Sequence, residues 1–243
     1  MLDTKQYDTI NKFKRYIPFD SSKESKIYYN KDELYKILYY IDKKYIKILN
    51  YINECNLEEL IEIRNLIYDK DNLVGYTSTN HKDYKSLRKN KYRKFKLKIE
   101  DCKNIITACN KLNDCNLYYG DFHTSNVLLN RKTGNIKMCD LNCISIIDNK
   151  YQRRKQIKDA IILCLSYIYN VDTIVMQLAI KNRTKINKDN IVYECIDSIG
   201  SEMFEENFNR FENLDFSIIS DERKVLKKES IKCIDYLYDD WFV

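Results

Sequence analysis

Two oxygen-bearing side chains flank a short predicted hairpin in the middle of the chain. Residues 127–130 and 135–139 are apolar arms around a turn that contains Gly134, which is typical of a β-hairpin. Asn126 precedes the first arm and Asp140 follows the second. Because the start of one antiparallel arm lies beside the end of the other, both side chains reach the same end of the ribbon. Carboxylate and amide oxygens are ligands that Mg²⁺ prefers, so the hairpin predicts a magnesium site.

A further acidic residue lies close to this pair in the sequence. Asp121 stands five positions before Asn126, in the stretch YGDFHTSN. A carboxylate beside a bound cation can orient an attacking hydroxyl and accept its proton. Asp and Asn near turns are otherwise turn or capping residues, because their side chains bond the local backbone. The order of all three residues around one hairpin favours the catalytic interpretation.

This block resembles the catalytic loop and metal-binding segment of the protein-kinase-like superfamily. The spacing Asp-x-x-x-x-Asn from Asp121 to Asn126 is similar to that catalytic loop, with a Tyr-Gly pair in the place of the usual His-Arg. The form Gly-Asp-x-His-x-x-Asn is closer to aminoglycoside and choline kinases and to small bacterial and viral protein kinases. The tripeptide Asp-Leu-Asn that begins at Asp140 stands where the family has Asp-Phe-Gly.

The resemblance implies a role for each of these residues in phosphate transfer from ATP. Asp121 would be the catalytic base, and Asn126 and Asp140 would hold Mg²⁺ on the nucleotide phosphates. His123 is a second catalytic candidate, which would support the loop by hydrogen bonding, and is otherwise an ordinary loop histidine. The cofactors that the resemblance implies are ATP and Mg²⁺.

The resemblance also implies a nucleotide site in the N-terminal part. Residues 34–38 resemble the strand whose lysine holds the α- and β-phosphates, which makes Lys36 the candidate; otherwise Lys36 is an ordinary strand lysine. The preceding turn, residues 20–25, stands where the family has a glycine-rich phosphate loop. It contains Ser22 and Ser25 but no glycine, so backbone approach to a phosphate is harder there.

Two further parts of the implied nucleotide site lie downstream. Residues 73–78 resemble the strand that enters the interlobe hinge, where the backbone would contact adenine, with Tyr76 and Ser78 as the cofactor-binding candidates. The family pairs its strand lysine with a helix glutamate, but the predicted helix over 42–53 contains no glutamate. The acidic residues left as alternatives are Asp42, Glu54 and Glu62.

One residue in the C-terminal half resembles a supporting position of the family. Asp159 lies on an apolar predicted helix and resembles the buried aspartate that supports the catalytic loop. An unpaired buried charge is costly, so Asp159 either takes this role or faces solvent.

The elements that must position these residues fall into two parts. Hydrophobic patterns predict a helix over 42–53 and strands at 25–29, 33–38, 60–68 and 73–77. The remainder is mainly helical, with a strand at 117–119, the hairpin, and helices over 99–112, 156–169, 189–208 and 222–238. We therefore expect an α+β, two-lobed kinase-like fold. Residues 1–78 form a small sheet lobe with one helix, and residues 79–243 form the larger helical lobe of the same domain.

Composition excludes several other classes of protein. A length of 243 residues allows one large domain or two small lobes, and 44% hydrophobic residues are too many for a disordered chain. Only four glycines and one proline exclude collagen-like and proline-rich architectures. The apolar run at 160–169 is shorter than the roughly 20 residues that span a bilayer, so we expect no membrane partner.

The cysteines and the N-terminus predict a cytoplasmic location, which would be the host cytosol for a viral or effector protein. No signal peptide is predicted, because the first residues, MLDTKQY, contain no apolar core. Nine cysteines without such a signal indicate reduced thiols. Their spacing, with Cys139 and Cys143 four apart and neither histidine near a Cys pair, matches no zinc pattern.

A net charge of +6 is concentrated in two places. These are residues 85–98 and the cluster Arg153, Arg154 and Lys155. Such patches can meet phosphate or an acidic partner, but a solvated helix face is the favoured interpretation, and no nucleic-acid partner is expected.

The sequence as a whole predicts an ATP-dependent phosphotransferase, in the first place a Ser/Thr protein kinase with a protein substrate. The alternatives are a small-molecule kinase of the aminoglycoside or choline type, or a pseudokinase that binds a partner. The residues nearest the chemistry are present, whereas the glycine-rich loop and the helix glutamate are missing. This distribution favours the enzyme.

Overall fold

A computed structural model shows an α+β protein in which a mixed β-sheet precedes a mainly helical part. The predicted α+β class is therefore confirmed. The structure describes residues 3–6, 17–21, 25–30, 32–42, 44–87, 97–184, 191–214, 222–226 and 228.

Within the described ranges, the larger sheet has six strands. They are β1 (Asp3–Gln6), β2 (Ile17–Ser21), β3 (Ser25–Asn30), β4 (Glu33–Leu38), β5 (Ile63–Asp69) and β6 (Asn72–Thr79). Their order in the sheet is β1-β5-β6-β4-β3-β2, with β1 parallel to β5 and the other neighbours antiparallel. The four predicted strands are confirmed as β3, β4, β5 and β6, whereas the sequence patterns missed β1 and β2.

The predicted helix over 42–53 is confirmed as α1 (Lys44–Cys55). Its buried residues Tyr45, Leu49 and Ile52 recur at helical spacing, so they form one apolar stripe. This stripe belongs to the same core cluster as Leu38 of β4. The helix is thereby fixed to the face of the sheet on which Leu38 lies.

The two faces of β4 have different surroundings. Tyr35 and Ile37 belong to a small separate apolar cluster, whereas Leu38 belongs to the large core. Side chains alternate between the faces of a strand, so Lys36 shares the face of Leu38. Tyr76 of β6 is directly paired with Lys36 and therefore lies on that face too. The sheet thus directs one lysine side chain toward the main core side.

Short strands form the predicted hairpin and lie beside it. They are β7 (Tyr84–Ser86), β8 (Leu117–Tyr119), β9 (Val127–Asn130), β10 (Ile136–Met138) and β11 (Ile144–Ile146), with a 3₁₀ turn at Leu141–Cys143. β9 pairs antiparallel with both β10 and β7, and β8 pairs antiparallel with β11. The predicted hairpin and the predicted strand at 117–119 are both confirmed. Of the basic stretch 85–98, residues 88–96 lie outside the described part of the chain.

The helices of the second part are α2 (Ile99–Asp114), α3 (Lys150–Ile168), α4 (Thr173–Lys181), α5 (Ile191–Asp197) and α6 (Phe204–Glu212). α2 confirms the helix predicted over 99–112. α3 begins earlier than the predicted residue 156, because Asn149 caps it by accepting a hydrogen bond from the Gln152 amide at 3.0 Å. α4 was not predicted.

The single helix predicted over 189–208 is wrong. The structure has two helices there, α5 and α6, and Gly200 between them has φ +81°. A left-handed residue cannot continue a right-handed helix, so the glycine separates the two segments. Of the helix predicted over 222–238, residues 222–226 and 228 are described and helical, and the others lie outside the described part.

None of the described helices is on its own long and apolar enough to cross a membrane. α3 and α4 pass the same test together, but this pair is bent by 114° at its break.

Backbone hydrogen bonds connect the segment after α1 to the hairpin. The Ile61 amide donates to the Met138 carbonyl at 3.0 Å, and the Met138 amide donates to the Glu59 carbonyl at 2.6 Å. Lys137 Nζ donates to the Glu58 carbonyl at 2.6 Å. One hydrophobic cluster also runs from α1 through the helical part. The sheet and the hairpin are therefore held in a defined relation.

Gly75→Ala should destabilise the protein, because β4 and β6 approach too closely there for a side chain. A Cβ on Gly75 would overlap the Lys36 carbonyl oxygen and lie 3.0 Å from its carbon. We expect a loss of roughly 1–3 kcal/mol in the free energy of unfolding, measured by urea denaturation. In the control, Gly134→Asn, a Cβ meets nothing closer than 3.4 Å and Asn tolerates the positive φ, so the loss should be smaller. Wild-type stability of Gly75→Ala would contradict this account of the β4–β6 contact.

Candidate active site

Lys36 extends from the sheet to the end of the hairpin. It lies on β4 between β3 and β6, and its side chain is only 9% exposed. Its Nζ forms an ion pair with Asp140 Oδ1 and donates a hydrogen bond to Asn142 Oδ1. The structure therefore brings together the predicted nucleotide lysine and a predicted metal ligand that is 104 positions away in sequence.

Asp140 has an unusual backbone conformation at the point where β10 ends. Its φ and ψ are +66° and +57°, in the left-handed region. Asp and Asn tolerate this region better than other non-glycine residues. The Cys143 amide donates to the Asp140 carbonyl at 3.2 Å, which closes the 3₁₀ turn. This turn places the Asp140 carboxylate and the Asn142 amide on the same lysine.

Asp121 and Asn126 are joined by direct hydrogen bonds. Asn126 Nδ2 donates to the Asp121 carbonyl at 3.1 Å and to Asp121 Oδ2 at 3.0 Å. The Cys139 amide donates to the Asn126 carbonyl at 2.9 Å, which attaches the loop to the residue before Asp140. These contacts fix the amide so that its nitrogen faces Asp121.

His123 lies beside the same carboxylate. Its Nδ1 accepts a hydrogen bond from the Ser125 amide at 3.1 Å, and its Nε2 lies 3.2 Å from Asp121 Oδ2. An Nδ1 that accepts a hydrogen bond requires the ring proton on Nε2, so the ring donates to Asp121. Because Oδ2 faces both His123 and Asn126, Oδ1 is the oxygen of Asp121 that is turned away from these two donors.

The two carboxylates are close enough to share a cation. Asp121, Asp140 and Cys143 each offer a ligand atom, and these atoms lie within 4.8 Å of one another. The Cys143 Sγ is 3.9 Å from Asp121 Oδ2. Mg²⁺ prefers oxygen ligands, so the two aspartates, with Asn126 beside them, fit this ion better than the thiol does.

Tyr119 holds the backbone next to Asp140. It is fully buried on β8, and its hydroxyl donates to the Cys139 carbonyl directly before Asp140. The pKa of the Tyr119 phenol is raised well above its ordinary value, mainly because the phenol is buried. Burial, and then the charge of Asp140, raise the pKa of the Cys139 thiol to about 12. Both groups therefore stay protonated at neutral pH.

Gln156 is a supporting residue that the sequence analysis missed. It is completely buried on α3, and its Oε1 accepts a hydrogen bond from the Tyr119 amide at 2.6 Å. Its Nε2 donates to the Leu117 carbonyl at 3.2 Å and to Asn113 Oδ1 at 3.0 Å. One side chain thus ties α2, β8 and α3 together under the loop. In the sequence, the feature that could have identified Gln156 is its position as a polar residue at the start of the apolar helix predicted over 156–169.

Asp159, expected either to support the catalytic loop or to face solvent, is instead paired with a lysine of its own helix. Asp159 Oδ2 accepts a hydrogen bond from Lys155 Nζ at 2.5 Å, one turn earlier on α3. The backbone before Asp121 is instead contacted by Gln156. Both residues lie on α3, but they are three positions apart, so sequence reasoning selected the charged residue rather than the amide.

Two predicted cofactor residues lie inside β6. Tyr76 and Ser78 are buried, and β4 and β5 flank β6 on either side at both positions. Tyr76 lies near the site, since the charge of Asp140 adds to burial in raising the pKa of its phenol. The adenine-contacting role of both residues stays a prediction.

The predicted phosphate turn is only partly described. Ser25 is buried at the start of β3, paired with Leu38 of β4. Ser22 lies outside the described residues. The role of both serines in phosphate binding therefore stays a prediction.

The acidic residues considered as partners of Lys36 lie elsewhere. Asp42 accepts a hydrogen bond from the Lys44 amide at 2.9 Å at the start of α1. Glu54 is exposed on α1, and Glu62 accepts a hydrogen bond from the Thr79 hydroxyl. In the described part of the chain, Lys36 Nζ contacts Asp140 and Asn142 in their place.

The site thus combines one lysine from the sheet with three oxygen-bearing side chains from the loop and hairpin. No model of a known protein family matches this chain, and no curated protein matches it either. The chemistry of these side chains is therefore the basis on which a function can be assigned.

Gln156→Leu should destabilise the protein strongly, because it leaves the Tyr119 amide and three buried acceptors without their partner. Each unsatisfied buried group costs about 1–3 kcal/mol, so we expect a loss of at least about 3 kcal/mol in urea denaturation. The matched control is Gln152→Leu, one turn earlier on α3, where the side chain accepts a hydrogen bond from the Asp148 amide near the surface. Equal losses in the two variants would contradict the special role of Gln156.

Proposed function

We propose that this protein is an ATP- and Mg²⁺-dependent phosphotransferase with a two-lobed kinase-like fold, and in the first place a Ser/Thr protein kinase. The observation that carries the proposal is the convergence of Lys36 with Asp121, Asn126 and Asp140. A buried lysine next to two carboxylates suits the charge of a nucleotide polyphosphate and its metal ion.

The architecture supports the proposal. Six strands with one packed helix precede a mainly helical part, and the four residues come from the sheet and from the loop and hairpin that follow. The resemblance of the loop and hairpin to the protein-kinase-like superfamily implies this arrangement. The short path from Asp140 to α3, which consists of a 3₁₀ turn and β11, corresponds to a short activation segment.

Asn126 and Asp140 would hold the magnesium ion, with Asp121 beside them. Bound there, Mg²⁺ would neutralise charge on the transferring phosphate. On nucleotide binding, the Lys36 ammonium would leave Asp140 and bind the α- and β-phosphate oxygens, because it can form an ion pair with either anion.

Asp121 would act on the acceptor. The Oδ1 atom, turned away from His123 and Asn126, would accept a hydrogen bond from the acceptor hydroxyl. The hydroxyl oxygen bonds to the γ-phosphorus as the bond to the β-phosphate oxygen breaks, ADP leaves, and the hydroxyl proton passes to Asp121. His123 and Asn126 would hold the carboxylate in the orientation that this proton transfer needs.

A pseudokinase is the second candidate, and two observations favour it. Lys36 Nζ already contacts Asp140 and Asn142, and the sequence from 20 to 25, where the resemblance places the phosphate loop, contains no glycine. A protein that keeps this contact closed would bind a partner without transferring phosphate. Transfer of the γ-phosphate separates the two candidates.

Asp121→Ala and Asp140→Asn should each lower phosphate transfer from γ-labelled Mg-ATP on the order of 10²-fold to 10⁴-fold. The first variant removes the base and the second removes a metal ligand. The assay uses the purified chain alone and in a cell lysate. The control is Asp71→Asn, a change of the same kind at an exposed turn residue, which should keep wild-type activity.

The place where the label is found decides between the acceptors. Label on protein supports the protein kinase, and label on a metabolite supports the small-molecule kinase instead. Asp140→Asn with full activity would overturn the residue assignment, and a wild-type chain that labels nothing would overturn the enzyme.

A further inference from the structure

A groove of about 420 Å³ lies on the helical part, bounded by α3, α4 and α5. Its floor contains the buried isoleucines Ile162, Ile180 and Ile196. Tyr151, which is 70% exposed, stands at its edge. Ligand-binding clefts typically have volumes of about 300–1,000 Å³, so the groove is large enough to hold part of a partner.

The walls of the groove carry an excess of positive charge. Four cations line it, Lys155, Lys158, Lys181 and Arg183, against two carboxylates. The carboxylates are already paired, since Asp159 binds Lys155 and Asp197 binds Arg183. Among the described residues, no carboxylate lies within ion-pair distance of the two exposed lysines, Lys158 and Lys181. The groove therefore offers two uncompensated ammonium groups above an apolar floor.

Tyr118 connects this groove to the candidate catalytic loop. Lys155 Nζ lies 5.8 Å from the centre of the Tyr118 ring, and the ring lies 3.6 Å from where a Cβ on Gly120 would be. Gly120 directly precedes Asp121. The Tyr118 ring therefore lies between Lys155, at the edge of the groove, and the residue that precedes Asp121.

The other two residues of the basic cluster at 153–155, Arg153 and Arg154, have contacts outside the groove. Arg153 donates hydrogen bonds to the Asn113 carbonyl and to Asn116 Oδ1, so it holds the end of α2. The Arg154 side chain packs against Gly200. Of the three basic residues at 153–155, only Lys155 lines the groove.

We propose that this groove binds an acidic segment of the protein acceptor, so that the enzyme prefers Ser or Thr with Asp or Glu nearby. The inference rests on the proposed function for the position of the hydroxyl. The positive charge of the groove, and its position beside Tyr118 and hence near the catalytic loop, favour an acidic peptide as the occupant. Tyr151 and the isoleucine floor would contact the apolar parts of that segment.

The test uses three synthetic peptides that contain one serine and differ only in their flanking residues, which are Glu, Gln or Lys. Peptide binding is measured by fluorescence anisotropy, and phosphate transfer is measured in parallel. The variant Lys158→Glu with Lys181→Glu reverses both uncompensated charges. The control, Lys47→Glu with Lys132→Glu, makes the same charge change at exposed positions on α1 and in the hairpin turn.

Wild type should bind the Glu peptide most tightly, and added salt should weaken this binding. The groove variant should bind the Glu peptide roughly tenfold more weakly and should gain affinity for the Lys peptide, because attraction becomes repulsion at two sites. The control should behave as wild type. Unchanged binding of the Glu peptide by the groove variant, or no preference for Glu over Gln, would overturn the proposal.

Three further outcomes have a defined meaning. Tighter binding of a single-stranded RNA or of anionic vesicles, lost in the same variant, would assign the groove to another class of partner and overturn the proposal. Charge-dependent binding of the Glu peptide without any phosphate transfer would support the groove and contradict the proposed function. Phosphate transfer that does not depend on the flanking charge would support the proposed function and contradict the proposal for the groove.

Discussion

The ion pair between Lys36 and Asp140 is the contact on which the rest of the site depends. A lysine that is 9% exposed needs a partner, because an unpaired buried charge costs far more than a surface one. The partner comes from the end of β10, so the contact joins the sheet to the hairpin. The same two charges would separate around a nucleotide, with the lysine on the phosphates and the carboxylate on the metal ion. Under the proposed function, the structural contact and the nucleotide site would therefore use the same atoms.

The opposite side of the site is held by buried polar groups rather than by charge. The Tyr119 hydroxyl donates a hydrogen bond to the carbonyl of Cys139, and Gln156 Oε1 accepts a hydrogen bond from the Tyr119 amide. Buried hydrogen bonds of this kind are costly to leave unmade, which keeps the backbone on both sides of Asp121 and Asp140 in place. The positions of the two carboxylates, within 4.8 Å, therefore follow from α3 and β8 as much as from the hairpin.

The sequence predicts the parts of this site that depend on local geometry. The hairpin, with Asn126 and Asp140 at its ends, follows from two apolar arms and one glycine, and the structure has it. What depends on long-range packing was not predictable. Gln156 rather than Asp159 contacts β8 because of the way α3 packs on this strand, and a local sequence pattern does not reveal that packing. The break at Gly200 was missed because a long apolar period outweighed a single residue, and β1 was missed because its partner, β5, is about sixty residues away.

Binding of nucleotide to the purified chain, measured by titration calorimetry, tests the shared role of Lys36 and Asp140 most directly. The account predicts that ATP binds only with Mg²⁺ present and that Asp140→Asn and Lys36→Met each weaken this binding roughly tenfold or more. Circular dichroism of both variants checks that they are folded. ATP binding that does not need Mg²⁺, or that is unchanged in both folded variants, would contradict the account.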